Sequence, residues 1–408
     1  MQKMNQVKKQ SNTKVVLAFS GGLDTCYCLW DLVTKGYEVY TAFVDSGGVS
    51  AQEKIEIAQR ANLLGAHQHH NIDIQEELWD DFVKPLVWSG AKVLNEYPLL
   101  CSDRYLIVSK CLELCDQLGT NSFAHGCTGM GNDQMRFDLA VNSLGNYQII
   151  APIRELQNSV TAVRDYEIEK LSSTTVTINT ASKKYSINEN LLGVTISGSE
   201  IDQFSSPEET VYQWCKSRKE WPQEKLSVQI EFEQGVAKKL NNQELKGSGL
   251  LKKLNDWFGS YGVGKHIYTG DVILGLKGRI AFECPGIDVL QMAHKALNDA
   301  VNTKLQNQFH QQIAQRWAEL VYSGFYFDAH KSDLEAYLKS SQQYVTGVVT
   351  IETEGAHALV VSVDSDYLLV DENAVYAQQC NWSAEEAVGF IKLTGQSTVL
   401  AQQVRNNH

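Results

Sequence analysis

The chain has 408 residues, 43% of them hydrophobic and 21% charged, with a formal net charge of −12. This length exceeds one ordinary core and predicts two or three domains, and the acidic balance excludes a basic footprint for nucleic acid or an anionic membrane over the whole surface. Nine cysteines without a C-x2-C pair, a polar stretch from Met1 to Lys14 with no apolar signal core, and no apolar run of membrane-spanning length predict a cytoplasmic protein with reduced thiols.

Val15 to Phe19 predicts a first strand that stops at Ser20-Gly21-Gly22, after which Cys26, Leu29, Trp30 and Val33 fall at helical spacing. A strand, a tight glycine loop and a helix collect backbone N–H groups at the positive end of the helix, which suits a phosphate-rich ligand. The spacing is neither that of a Walker loop nor that of a dinucleotide turn, and an ordinary strand-to-helix turn is the bland alternative. Tyr37 to Asp45 reads as a second strand. Ser50 and Glu53 then form a capping box, and the helix that follows is closed by Gly65.

A third strand is expected around Asn71 to Ile74, with helices through Trp79 to Phe82 and from Arg104 to Leu118. Ser122 to His125 is a fourth strand that ends in the glycine-rich stretch Gly126 to Asp133, and Gln148 to Pro152 is a fifth. Strands alternating with helices at this spacing imply a mostly parallel sheet with ligands at its carboxyl ends. Between Ser172 and Tyr185 the composition turns to Thr, Ser, Asn and Lys and the rhythm is lost. The expected domains are therefore 1–175, 176–380 and a C-terminal arm, 381–408. In the second domain Val228, Ile230 and Phe232 alternate as a half-exposed strand, and Leu250 to Phe258 reads as a helix. One long helix is expected from Asp288 to Tyr322 with Leu297, Val301, Leu305, Phe309, Ile313 and Trp317 on a single stripe, and a hairpin from Val345 to Val363 turns at Glu354-Gly355.

Asn132, Asp133 and Arg136 put an amide, a carboxylate and a guanidinium within one turn, beside the N–H groups of a glycine loop. Arg136 could clamp a carboxylate, Asp133 could hold an ammonium, and Thr128 could donate to either, as an amino-acid site requires. The alternative is a capped helix start with a surface ion pair. His67, His69 and His70 lack further ligands at metal spacing and read as a polar edge strand, so no resident metal ligand set is assigned. Cys111 and Cys115, and Cys101 and Cys127, read as small buried side chains, with thiol chemistry at the latter pair as the rival.

With both loops read, Ala18 to Thr25 resembles the pyrophosphate-binding loop of the N-type ATP pyrophosphatases, and His125 to Phe137 resembles the hallmark segment of the argininosuccinate synthase family. Tyr97-Pro98-Leu99, Ile150 to Glu155, Tyr185 to Gly193, Gly262-Val263-Gly264, Glu283 to Gly286 and Ala318 to Tyr322 extend the likeness over about residues 14 to 395. The resemblance implies an α/β fold. It consists of a parallel-sheet N-type ATP pyrophosphatase domain, an α+β synthetase domain and a C-terminal arm, with a homotetramer as the assembly. It implies an ATP-dependent ligase that adenylylates citrulline and condenses it with L-aspartate, with Mg2+ accompanying the ATP phosphates.

By the same resemblance Ala18, Phe19, Ser20, Gly21, Gly22, Leu23, Asp24, Thr25 and Cys26 would bind ATP, with Val44 and Gly126 beside the nucleotide. Thr128, Asn132 and Asp133 would hold aspartate, and Tyr97, Ser102, Arg136, Thr195, Gly270 and Phe282 fall at citrulline positions, with Asp133 and Arg136 carrying the chemistry. Departures cluster at the acceptor. Gly270 stands where the family has a glutamate and Phe282 where it has a tyrosine, besides Cys26 for serine, Gly48 for glutamine, Met130 for lysine and Thr195 for serine. Loss of a carboxylate and a hydroxyl should weaken binding of a zwitterion, which keeps open another ureido, amide or carboxylate acceptor, or a nucleotide-binding protein without synthase activity. Restoring Gly270→Glu with Phe282→Tyr is expected to increase citrulline use. A related enzyme acting on RNA is the remaining rival, disfavoured by the acidic balance.

Overall fold

The computed structural model describes residues 13–176, 184–376 and 378–407, and the compact units divide after Tyr367. The first unit opens with β1 (Lys14–Ala18), α1 (Leu23–Thr34), β2 (Glu38–Asp45), α2 (Ala51–Leu63) and β3 (Gln68–Asp73). Helices α3 (Gln75–Leu78) and α4 (Lys84–Ser89) are joined by a π turn at Trp79–Val83. They are followed by α5 (Asp103–Leu118), β4 (Ser122–Ala124), α6 (Asp133–Leu144), β5 (Gln148–Ile150), α7 (Pro152–Leu156) and α8 (Val163–Ser172).

All five strands pair in parallel in the order β3-β2-β1-β4-β5. Val15, Val16 and Leu17 are all fully buried, because helices cover both faces of a parallel sheet and leave no polar side to alternate with. The direction of winding reverses beside β1, and a crevice forms there at the carboxyl ends of the strands. His69 and His70 lie on the edge strand β3, where the Thr41 hydroxyl lies 2.9 Å from His69 Nδ1.

Two antiparallel sheets follow. The elements are β6 (Ser186–Asn190), β7 (Gly193–Ser197), β8 (Leu226–Glu233), β9 (Val236–Leu240), β10 (Gln243–Glu244), α9 (Gly247–Gly259), β11 (Lys265–Asp271), β12 (Lys277–Glu283), α10 (Pro285–Val301), α11 (Lys304–Tyr322), α12 (Ala329–Ser341), β13 (Gly347–Gly355) and β14 (His357–Asp364). The sheets run β11-β12-β7-β6 and β10-β9-β8-β13-β14. At the end of β12 the buried Glu283 carboxylate accepts from the backbone N–H groups of Gln213, Trp214 and Cys215 at 2.7, 3.0 and 2.6 Å. Three charge-assisted bonds thus fasten an irregular segment to the sheet. The hairpin expected between Val345 and Val363 is β13 and β14, turning at Gly355-Ala356.

The single long helix expected from Asp288 to Tyr322 is corrected to two. Asn302 is extended, and Thr303 starts α11 with a capping box to Gln306. The break resets the helical phase, so Leu305 and Phe309 point outward at 75% and 47% exposure while Ile313 and Trp317 are buried. The second unit carries α13 (Ala384–Asn406), capped by Ser383 and without a buried residue of its own. Among the described residues no helix is long and apolar enough to cross a membrane.

Candidate active site

A cleft of about 1240 Å³ opens at the carboxyl ends of β1, β2 and β4 and is walled on its other side by the inner face of the β11-β12-β7-β6 sheet. In the first loop Gly21 has φ +74, and Gly22 precedes the first turn of α1. The Ser20 and Thr25 hydroxyls lie 3.2 Å apart, and Arg60 of α2 donates to the Gly21 carbonyl at 2.9 Å. The loop is therefore pinned from behind, with its N–H groups and hydroxyls at the positive end of a helix. Asp24 lines the cleft in that first turn; burial raises its carboxyl above the usual range against the pull of Arg164. Cys26 is placed differently from the other loop residues. Its thiol is fully buried, donates to the Gly21 carbonyl and does not line the cleft, and burial pushes it up to about 12.

The second loop is held by His125, whose Nε2 lies 3.0 Å from Asp138 and whose Nδ1 accepts from the Cys127 N–H at 3.1 Å. Asp138 is in turn paired with Arg154 at 2.7 Å, and Gln157 accepts from the Gly129 N–H. This scaffold presents Asp133 between two guanidinium groups, Arg104 Nε at 3.2 Å and Arg136 Nη1 at 2.8 Å. Burial would raise the Asp133 carboxyl, but the two arginines outweigh it and hold the group below the usual carboxylate range. Arg104 also pairs with Asp103 at 2.6 Å, and Asp103 accepts from the Ser46 hydroxyl. Two arginines and two aspartates leave this cluster formally neutral, an environment matched to a zwitterion.

Residues 14–176 match the family model described as the arginosuccinate synthase N-terminal HUP domain, and residues 185–401 match that of the C-terminal domain. The chain belongs to the argininosuccinate synthase family. It is 52% identical over 394 residues to an argininosuccinate synthase of Xanthomonas campestris, spanning 97% of this chain and 99% of that relative. It is 50% identical over 397 residues to one of Xylella fastidiosa (97% and 99%) and 39% identical over 390 residues to one of Methanocaldococcus jannaschii (94% and 97%).

The cleft collects most of the positions singled out by the synthase resemblance: Ala18 to Thr25, Val44, Gly126, Thr128, Asn132, Asp133, Arg136, Tyr97 and Thr195. Arg136 does not present an open fork. Its Nε and Nη2 donate to the Tyr322 carbonyl at 3.2 and 3.1 Å, which leaves it oriented by the end of α11. The Asn132 amide donates to the Tyr322 hydroxyl at 3.3 Å and accepts from the Ile273 N–H at 3.1 Å.

Three expected acceptor residues do not line the cleft. Ser102 is 1% exposed, and its hydroxyl donates to the Leu99 carbonyl at 2.8 Å, satisfied within its own turn. Phe282 is buried beneath Tyr97, ring centroids 5.5 Å apart, and stacks on His266. Gly270 lies behind Tyr268: a Cβ there would sit 2.4 Å from the Tyr268 hydroxyl. A glutamate at 270 would therefore first have to displace the phenol end of Tyr268. Gly48, where the family has glutamine, is explained alike, since its Cβ would meet the Glu189 carbonyl oxygen at 2.0 Å.

Sequence reasoning missed Asp103, which lay just outside the expected helix, Arg104, which read only as its start, and Tyr268, whose alternation with Gly270 on a strand was the available signal. Among the described residues His266, Cys284 and Asp288 bring ligand atoms within 4.8 Å of one another. Asp288 is already paired with Lys92 at 2.9 Å and with His266, so an ammonium supplies the cation.

Proposed function

We propose that the chain condenses citrulline with L-aspartate in two steps driven by ATP. The ureido oxygen attacks the α-phosphorus and pyrophosphate leaves. The α-amine of aspartate then attacks the ureido carbon, and AMP departs carrying the ureido oxygen. A ureido oxygen is a poor leaving group until it becomes a phosphate ester, which is why the first step is needed. The observation that carries this reading is the meeting of the Ser20–Thr25 loop and the Asn132–Asp133–Arg136 loop in one cleft of a chain about half identical to synthases along nearly their whole length.

In this proposal the Ser20–Thr25 loop and the start of α1 take the pyrophosphate, and Val44 and Gly126 flank the nucleotide. Thr128, Asn132 and Asp133 bind aspartate, with the ionised Asp133 accepting from its ammonium. Tyr97, Arg136 and Thr195 bind citrulline. Fixed N–H groups and guanidinium charge at the places where negative charge develops act without reorganising. Mg2+ would arrive on the ATP phosphates, beside Asp24 in the first turn of α1, and neutralise part of their charge.

A cytoplasmic location, a homotetramer and the division at 1–175, 176–380 and 381–408 belong to the same proposal. A different acceptor or a non-catalytic nucleotide binder is the less favoured reading. The test is pyrophosphate release with ATP, Mg2+ and aspartate. Release that requires citrulline and yields argininosuccinate supports the proposal, and release with another ureido or carboxylate compound but not citrulline overturns it.

A further inference from the structure

The inner face of β11 sets His266, Tyr268 and Gly270 in a row, opposite Phe282, Ile280 and Gly278 of β12. Tyr268 lines the cleft, and its ring occupies the space above Gly270. A Cβ at position 270 would lie 2.4 Å from the Tyr268 hydroxyl, 2.6 Å from its Cζ and 3.0 Å from Leu94 Cδ1. Any side chain at 270 would therefore require the phenol end of Tyr268 to shift, and the glycine is what admits it where it stands.

The Tyr268 hydroxyl donates to the Asp271 carbonyl at 3.3 Å. Tyr322 donates to the same carbonyl at 3.3 Å, and its oxygen accepts from Asn132. A phenol has one proton; once that is committed to a carbonyl, its oxygen meets a ligand as a hydrogen-bond acceptor. The Tyr97 ring lies 5.9 Å away, so this acceptor sits among the residues assigned to citrulline.

We propose that Tyr268 determines acceptor specificity, its hydroxyl oxygen accepting from the α-ammonium of the acceptor amino acid, with Gly270 small in order to admit it. The inference rests on citrulline being the acceptor.

Tyr268→Phe keeps the ring and removes the hydroxyl. The expected result is a rise of about tenfold or more in the KM for citrulline, with the KM values for ATP and aspartate within about twofold of the parent and kcat within about threefold. Gly270→Ala displaces the hydroxyl without deleting it and should produce the same rise, and the double variant should be no worse than either single one. A desamino analogue, 5-ureidopentanoate, provides a readout that needs no folding comparison: the parent should discriminate against it, and Tyr268→Phe should narrow that ratio about tenfold. A role in packing alone would lower kcat or raise all three KM values together, and that result overturns the proposal, as does an unchanged citrulline KM in Tyr268→Phe. A parent chain that releases no pyrophosphate on addition of citrulline overturns the reading of function instead.

Discussion

Arg104 shows how one residue can organise a site that its sequence context conceals. It lies one position inside α5, touches Asp103 and Asp133 at once, and is only 15% exposed at its side chain. Removing Arg104 leaves the buried Asp103 without its counter-charge and Asp133 with Arg136 alone. Arg104→Met should therefore cost about 3 kcal/mol in urea unfolding and raise the aspartate KM about tenfold or more. A loss below about 0.5 kcal/mol would mean that the cluster acts only as a surface pair. The residue scale is also where the sequence was least informative. Substitutions at 270 and 282 read as lost contacts because a sequence does not reveal that Tyr268 fills the space at 270 or that Phe282 packs beneath Tyr97 and against His266. Gly270→Glu with Phe282→Tyr should consequently lower citrulline use, by about tenfold or more in kcat/KM, and an increase would show that Tyr268 moves aside freely.

At the scale of elements, strong local signals were reliable and long-range phase was not. The Ser50–Glu53 capping box and the Gly65 stop were legible because caps are satisfied by neighbours in sequence. The break between α10 and α11 carried the same signal in Thr303 and Gln306 but was masked by apolar residues at helical spacing on both sides. Thr303→Ala should lower stability by about 1 kcal/mol in a urea titration, and no change would mean that packing alone sets the break.

On α10 itself, His294 is 2% exposed and bonded to Gln342, and burial pushes it down to about 4. Between the ordinary histidine value near 6.5 and about 4 the unfolded chain takes up a proton that the folded one refuses. Stability is therefore lost as pH falls through that window, by about 3 kcal/mol at pH 4. His294→Gln should flatten this part of the urea-midpoint profile against pH, and parallel profiles for parent and variant would contradict the assignment.

For the whole molecule, the parallel sheet and its crevice followed from strand and helix alternation, since parallel strands need crossovers and crossovers place loops at one end. The far wall of the cleft was not legible, because β6, β7, β11 and β12 come from segments up to about a hundred residues apart and carry no local mark of their pairing. That wall brings Tyr268 and Thr195 to a site whose loops come from the first sheet, so that a single cleft would activate a ureido oxygen and deliver an aspartate amine to the same carbon. The most direct test uses citrulline labelled with oxygen-18 at the ureido oxygen, incubated with ATP, Mg2+ and aspartate, with AMP examined by mass spectrometry. One labelled oxygen in AMP, at the enrichment of the citrulline supplied, is the predicted result; unlabelled AMP formed alongside argininosuccinate would contradict the account.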